Sequence, residues 1–452
     1  MSTHEIPSMA GKAVSRHVER FDVIGLGIGP ANLSLAALLQ PCKGFRSMFF
    51  ERRADFRWHE GMMHVNSSLT TSFLKDLVTL ADPCSPYSFI AFLKKTERLY
   101  AFLNARFPTV RRKEFEQYMA WVCRSLSNLT FGNEVLRVTR EGSEWLVTHA
   151  RGVARTPNLV VGTGHRPSIP SCAQACLGSA VMHSSRFITD APPVAGKRVV
   201  VVGGGQSGAE LMQMMLNLPE SAAPTSLVWV SRRGNFLPMD DSPFVNEWFV
   251  PGYSDHFFGL SAEQRQAALA QQHMASDGVV QPLLESIYRR LYEVTYIEGR
   301  KAFCRLLPGA TLQTLRQLDD GLALRIDSAT GSRQLEADLV LLATGSEFQM
   351  PAALQPLRFE MATRNGLPEL DHDYAVKWSR ADHPRLFFQN AARHIRGIAD
   401  PNLSLAAWRS GKIANRLLGQ PLYDVSTPPG LVEWGLELAE PGCLLHDHQL
   451  TE

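Results

Sequence analysis

Short apolar blocks rich in β-branched residues recur along this chain, each too short for a helix. They are Phe21–Gly25, Ser47–Phe50, Leu159–Val161, Arg198–Val202, Leu227–Val230 and Asp338–Ala343. Runs of this length and character predict buried strands. Two of them pass through a glycine-rich turn into an apolar helical run, Ala31–Leu39 after the first and Ala209 to about Leu216 after Arg198–Val202. Strands alternating with helices predict parallel α/β sheets. Two stretches read as transitions: Ile188–Gly196, with Pro192 and Pro193 among small residues, and residues 320–337. The segment Glu60–Tyr118 is too long for a simple crossover, and its aromatic content predicts a small region that covers a site.

The two glycine turns differ in chemistry. The first reads Gly25-Leu-Gly27-Ile-Gly29-Pro30. Gly25 suits the tight turn, Gly27 admits a pyrophosphate to the backbone, and the helix that follows offers N–H donors. Pro30 replaces the third glycine and is tolerated at a helix start. Glu51, twenty-six residues after Gly25, ends the next strand, where an acid accepts hydrogen bonds from a ribose diol. The second turn reads Gly203-Gly-Gly205-Gln206-Ser207-Gly208. Its own next strand ends in Ser231-Arg232-Arg233, with no acid. A hydroxyl and two guanidiniums there suit a 2′-phosphate, which points to NADPH. Gly-Thr turns at Thr163-Gly164 and Thr344-Gly345 also leave strands beside an expected nucleotide. Two dinucleotide sites in one chain suggest hydride flow from nicotinamide to flavin.

These features predict an α/β protein with two Rossmann-like domains, the second inserted into the first. The FAD-binding domain is expected at 21–190 plus 336–440 and the NADPH-binding domain at 195–335. A flexible arm (1–20) and a tail (441–452) flank them.

Composition narrows the function classes. Of 452 residues, 46 are basic and 44 acidic, a net charge of +2, which gives no electrostatic footprint for nucleic acid or an anionic membrane. No run of about 18 apolar residues suggests a membrane span. The first twenty residues lack the apolar stretch of a signal peptide. Seven cysteines are scattered, and Cys172-x-x-x-Cys176 is the one close pair. A reduced, cytoplasmic setting is the simplest reading, and no metal site is expected.

The chain also resembles the siderophore-pathway N-hydroxylating flavin monooxygenases, which include lysine N6- and ornithine N5-hydroxylases. The resemblance spans about residues 20–435 and rests on linked stretches: Gly27–Leu33, Phe56–His59, Ser72–Leu77, Pro86–Phe89, Gly203–Ser207, Asp240–Glu247 and Gly397–Leu405. It implies NADPH- and O2-dependent hydroxylation of the terminal amine of a diamino acid through a C4a-hydroperoxyflavin, for hydroxamate siderophores. It implies that Trp58 and His59 lie against the flavin, with Asn402, Leu403 and Ser404 closing the site. Lys75 would hold the substrate carboxylate and Asn246 orient the substrate. Gln206 and Ser207, with Arg232 and Arg233, would hold NADPH, and the assembly would be a homotetramer.

The pattern has departures. Thr70 stands where glutamine is frequent, five residues before Lys75, and Arg396-Gly397 stands where His-Gly is frequent. Asn246 looks like the ornithine enzymes, whereas Ser276-Asp277-Gly278 and Ala407-Trp408-Arg409 look closer to the lysine enzymes. Substrate choice therefore stays open, including an aliphatic diamine such as putrescine or cadaverine. A disulfide reductase would need a C-x-x-C that the chain lacks. Another class B monooxygenase would need a signature of which only Leu177-Gly178, His183 and Phe187 remain. A non-catalytic nucleotide sensor would bind NADPH without consuming it.

Overall fold

The structure, a computed structural model, describes residues 18–435 apart from 65–66, 108, 380–383 and 428–429. Most of the expected arm and all of the expected tail lie outside the described residues. Two parallel sheets organise the chain. Their strands are β1 (Val23–Leu26), β2 (Ser47–Phe50), β3 (Leu129–Thr130), β4 (Asn158–Val161), β5 (Val181–His183), β6 (Arg198–Val202), β7 (Ser226–Val230), β8 (Cys304–Leu307), β9 (Leu339–Leu342) and β10 (Arg385–Phe388). The first sheet has the order β10-β4-β1-β2-β3 and the second β5-β9-β6-β7-β8. The register aligns Val23 with Ser47 in the first and Val199 with Leu227 in the second.

The helices that matter for the site are α1 (Pro30–Leu39), α2 (Arg112–Ser125), α3 (Gln206–Leu216), α4 (Gln281–Tyr292) and α5 (Ala406–Leu418). Every residue of α1 from Ala31 to Leu39 is buried, as expected of a helix that is apolar all round. It packs against α5 and α2 as well as β2. The second sheet shows the strand period directly. Val199 and Val201 of β6 join the core formed with Leu211, Met212 and Met215 of α3. Val200 and Val202 face the opposite core, with Leu312, Leu322 and Ile326 of an antiparallel meander. Successive strand residues point to opposite faces, so one valine run serves both layers.

Three boundaries differ from expectation. Strand β9, expected at the start of the returning first domain, pairs with β6, Val200 against Val340. Strand β5 pairs with β9, so the second sheet begins at Val181 and ends at Leu342 rather than filling 195–335. A four-residue apolar run fits either parallel sheet, and only its pairing decides between them. At the other end, Glu19–Arg20 pair with Ala154 and Arg155, so the arm stops short of residue 20.

The two chain crossings between the sheets are fastened together. Ser346–Glu347 pair antiparallel with Arg166–Pro167, and the Thr344 hydroxyl donates to the Ser168 carbonyl at 2.5 Å. The covering segment folds into short helices around an aromatic cluster. In it Phe73 meets Phe89 and Phe102, and Phe89 meets Phe115 and Tyr118. No helix among the described residues is long and apolar enough to cross a membrane.

Candidate active site

The first fingerprint sits at the carboxyl end of β1, where ligands of open α/β sheets bind. Gly27 has φ +85°, and a Cβ there would lie 2.8 Å from the Gly162 carbonyl of the neighbouring strand's turn. Only glycine lets these two turns close up. No side chain caps the α1 N-terminus, and no acid occupies its first turn, so its N–H groups and positive dipole end stay available to an anion. Around Gly164 nothing lies within 4 Å of a Cβ position. A glycine-walled opening at a bare helix N-terminus fits a pyrophosphate. Glu51 borders it, and its carboxylate also organises the turn, accepting from Ile28 N–H and Arg53 N–H at 3.0 Å each. Gly25 packs against the Phe49 ring, and Gly29 caps α1 ahead of Pro30.

A buried polar network supports this turn from below. Asn32 Nδ2 donates to the Leu26 and Gly27 carbonyls, and Gln389 Nε2 donates to Asn32 Oδ1 at 2.9 Å. Arg409 reaches Gln389, Asn390 and the Asp400 carboxylate, the last at 3.0 Å. The Arg409 and Asp400 side chains are 1% and 0% exposed. Asp400 and Arg409 fell within the resemblance stretches without a role, and Gln389 had none. The signal for Arg409 was a guanidinium in an otherwise apolar run, which burial requires to be paired.

The second fingerprint is built on the same plan. Gly203 has φ +131°, and a Cβ there would collide with the Ala343 carbonyl at the end of β9. Gly205 caps α3 with no side-chain bond, and Gly208 packs on the Gly203 carbonyl. Gln206 is committed at both ends, donating to Glu210 at 3.0 Å and accepting from Val280 N–H at 3.0 Å. Ser207 Oγ lies 3.6 Å from Met62 Sδ. The Ser231-Arg232-Arg233 triplet divides its work. Ser231 is buried beneath Gly204, its hydroxyl accepting from Arg233 N–H. Arg233 is half-buried and donates to the Gly204 carbonyl, whereas Arg232 is exposed beside the turn.

The segments between the fingerprints carry the remaining candidates. Trp58 is half-buried, packs on Phe115, and donates its backbone N–H to the Glu116 carboxylate. His59 adopts φ +50° ahead of a short helical turn at Glu60–Met62. Its ring meets solvent, yet surrounding protein, followed by the Arg112 and Arg53 charges, pulls its pKa down to about 4.

Lys75 lies in a turn organised by its neighbour. Buried Asp76 accepts from Val78, Thr79 and Phe89 N–H groups and from the Thr79 hydroxyl. Lys75 itself is half-buried, and burial alone lowers its pKa. No ion pair to it occurs among the described residues. Thr70 is exposed. Asn246 is exposed too, at the end of a four-residue helix, where its side chain donates to the Asp241 carbonyl at 2.8 Å. Ser404 is 2% exposed and donates to Asn402 Oδ1, which caps the turn through Leu403. Thr344 and Gly345 hold the interdomain crossing, where His183 Nε2 meets the Gly345 carbonyl at 2.9 Å.

A surface hollow of about 430 Å³ between Arg385 and Asn415–Pro421 lies at the amino end of β10. That is the end opposite the fingerprints, so it does not belong to this site. Among the described residues no group of three His, Cys, Asp or Glu side chains is placed to hold a metal.

The chain is similar to several known proteins. The sequence profile described as L-lysine 6-monooxygenase/L-ornithine 5-monooxygenase matches residues 19–348. The L-lysine N6-monooxygenase of Escherichia coli is 37% identical over 419 residues, covering 91% of this chain and 98% of that one. Among solved structures, the FAD-bound cadaverine monooxygenase of Erwinia amylovora superposes with a TM-score of 0.86 at 29% identity. It covers 93% of this chain and 99% of that one. An ornithine N-hydroxylase of Kutzneria sp. 744, solved with reduced FAD, NADP+ and L-ornithine, gives 0.82 at 29% identity, covering 88% and 99%.

Proposed function

The chain belongs to the L-lysine 6-monooxygenase/L-ornithine 5-monooxygenase family, and from that premise we propose that it hydroxylates the terminal primary amine of a diamino acid. It is an FAD- and NADPH-dependent amine monooxygenase. The product, a hydroxylamine, suits hydroxamate siderophore assembly. The observation that carries the diamino-acid reading is Lys75, a half-buried ammonium with no carboxylate partner among the described residues. A buried cation without a counter-charge is costly, and a substrate carboxylate would supply it. A plain diamine offers no such group. Lysine is the first diamino acid to test, because the 37% identical relative is an L-lysine N6-monooxygenase.

Bound FAD supplies the redox chemistry, joining NADPH electrons and O2 into an electrophilic oxygen. The chain supplies placement. Gly27, Gly29, Pro30 and the α1 N-terminus receive the FAD pyrophosphate, with Glu51 toward the ribose. Gly203, Gly205 and the α3 N-terminus receive that of NADPH. Arg232 is the exposed guanidinium positioned for the 2′-phosphate, and Arg233 and Ser231 shape its turn. Lys75 fixes the far end of a flexible substrate, which confines its amine near the reacting oxygen. The attacking amine must be neutral. A free alkylamine has a pKa of about 10.4, which desolvation lowers. Buried Ser404, with Asn402 and Leu403, closes one wall against water, which protects the reactive oxygen.

The direct test is the purified protein. A yellow flavin spectrum with amine-stimulated NADPH and O2 consumption supports the reading, whereas NADPH binding without consumption would make the chain a nucleotide sensor. Cadaverine is the specific rival, because the Erwinia structure superposes so closely. Cadaverine turnover that outruns lysine and ornithine would favour it.

A further inference from the structure

One buried ion pair joins the two domains and has no part in the reading above. Arg112 opens α2, and Glu210 lies one turn into α3. The two guanidinium Nη atoms reach separate oxygens of the Glu210 carboxylate at 3.3 Å each. The side chains are 17% and 6% exposed. Each partner is tied into its own domain. Arg112 N–H donates to the Ser67 carbonyl at 3.0 Å, and Ser68 bridges Arg111, just ahead of the turn that carries Lys75. Glu210 accepts from Gln206, which in turn accepts from Val280 N–H at the head of α4. A polar chain therefore runs from the Arg112 guanidinium through Glu210 to Gln206 of the second fingerprint and on to Val280.

A second contact lies alongside. Ser207 of the fingerprint meets Met62, and Gly61 sits so close to the Ser185 carbonyl that a Cβ would collide with it. The turn after Trp58 and His59 is thus pressed against the second domain at the same place. A buried pair of this kind adds little net stability, because desolvation offsets the attraction. What a two-pronged Arg–carboxylate contact fixes is direction and separation.

We propose that Arg112 and Glu210 form an interdomain positioning pair that sets the second fingerprint helix at the distance and angle hydride transfer to the flavin requires. The inference rests on the FAD and NADPH assignment above. Both residues act through Gln206 and the helix it opens, so they are positioning residues rather than catalytic ones. Hydride transfer is steep in geometry, and a displacement of about 1 Å can cost on the order of 100-fold in rate.

The test is anaerobic stopped-flow reduction of the FAD-loaded enzyme. NADPH is compared with dithionite, which needs no nicotinamide placement. The variants are Glu210→Gln, Arg112→Lys and the double variant Arg112→Met/Glu210→Met. Apolar replacement of both partners keeps the fold but removes the tie to Gln206. At saturating NADPH the double variant and Glu210→Gln should be reduced roughly 10- to 100-fold more slowly. Their NADPH dissociation constants should move by less than about 3-fold, since uniform binding is retained. Dithionite reduction should be unchanged, and Arg112→Lys, which keeps the charge but not the two-pronged contact, should be slowed with NADPH as well. Glu210→Gln answers the question if the double variant loses flavin. A parental NADPH rate in a flavin-loaded variant overturns the proposal, as does equal slowing by NADPH and dithionite. Failure of the parent protein to be reduced by NADPH would instead sink the cofactor assignment.

Discussion

At the scale of single residues, charge and burial separate side chains that look alike in sequence. Lys75, from the family resemblance, and Arg232, from the missing acid after β7, are both expected from the sequence to face ligands. Ser231 and Asn246 look equally plausible in sequence, yet Ser231 is buried under Gly204 and Asn246 bonds to the Asp241 carbonyl. Short-range packing of that kind leaves no mark in residue spacing. The Asn32–Gln389–Arg409–Asp400 network was not legible either, because Asn32 and Gln389 stand 357 positions apart. Lys75→Ala should raise KM for lysine or ornithine by roughly 10- to 100-fold, the value of one charged hydrogen bond. NADPH oxidation should persist, and an unchanged KM would remove Lys75 from the substrate site. Arg232→Ala should weaken NADPH by a similar factor while leaving NADH nearly untouched, and equal losses would refute the 2′-phosphate role. Arg409→Met should strand the Asp400 carboxylate in a dry site. Denaturant unfolding should then show a loss of about 3–5 kcal/mol.

Elements were more legible than their grouping. The strands read from apolar runs match β1, β2, β4, β6, β7 and β9 to within two residues at either end. Their period and glycine punctuation are local properties, so one sequence suffices to find them. Which sheet β9 joins is not local, and it falls to the Val200–Val340 register. The three-residue β5 carries too few positions to show a period. The glycines between elements are the clearest test at this scale. Gly203→Ala combines an unfavourable φ with a collision at the Ala343 carbonyl. It should abolish NADPH binding while FAD stays bound, because the two fingerprints stand on separate sheets. Simultaneous loss of both cofactors would show that the sheets are not independent supports.

At the scale of the whole molecule, two nucleotide-binding sheets are joined at crossings where Ser346–Glu347 pair with Arg166–Pro167. Burial shapes the acid response of the entire fold. His59, His64, His149, His183 and His394 are all held below the ordinary histidine pKa, in each case first by burial. A group with a lowered folded pKa takes up its proton more readily when unfolded, so stability falls as pH drops below about 6.5. His372 runs the other way, raised by Asp255 and Asp373, and its contribution is lost as pH climbs past that value. Five groups against one set the sign. The melting temperature should be lower at pH 5 than at pH 7, and a flat or rising profile would contradict the burial of these rings. Above this architecture stands the reaction, and product analysis tests it most directly. Purified enzyme with FAD, NADPH and O2 is given lysine, ornithine, cadaverine and putrescine in parallel, and hydroxylamine is measured for each. The expected result is hydroxylamine from a diamino acid, lysine first, with far less from either diamine. Hydroxylamine from the diamines at equal or greater yield, or from none of the four, would contradict it.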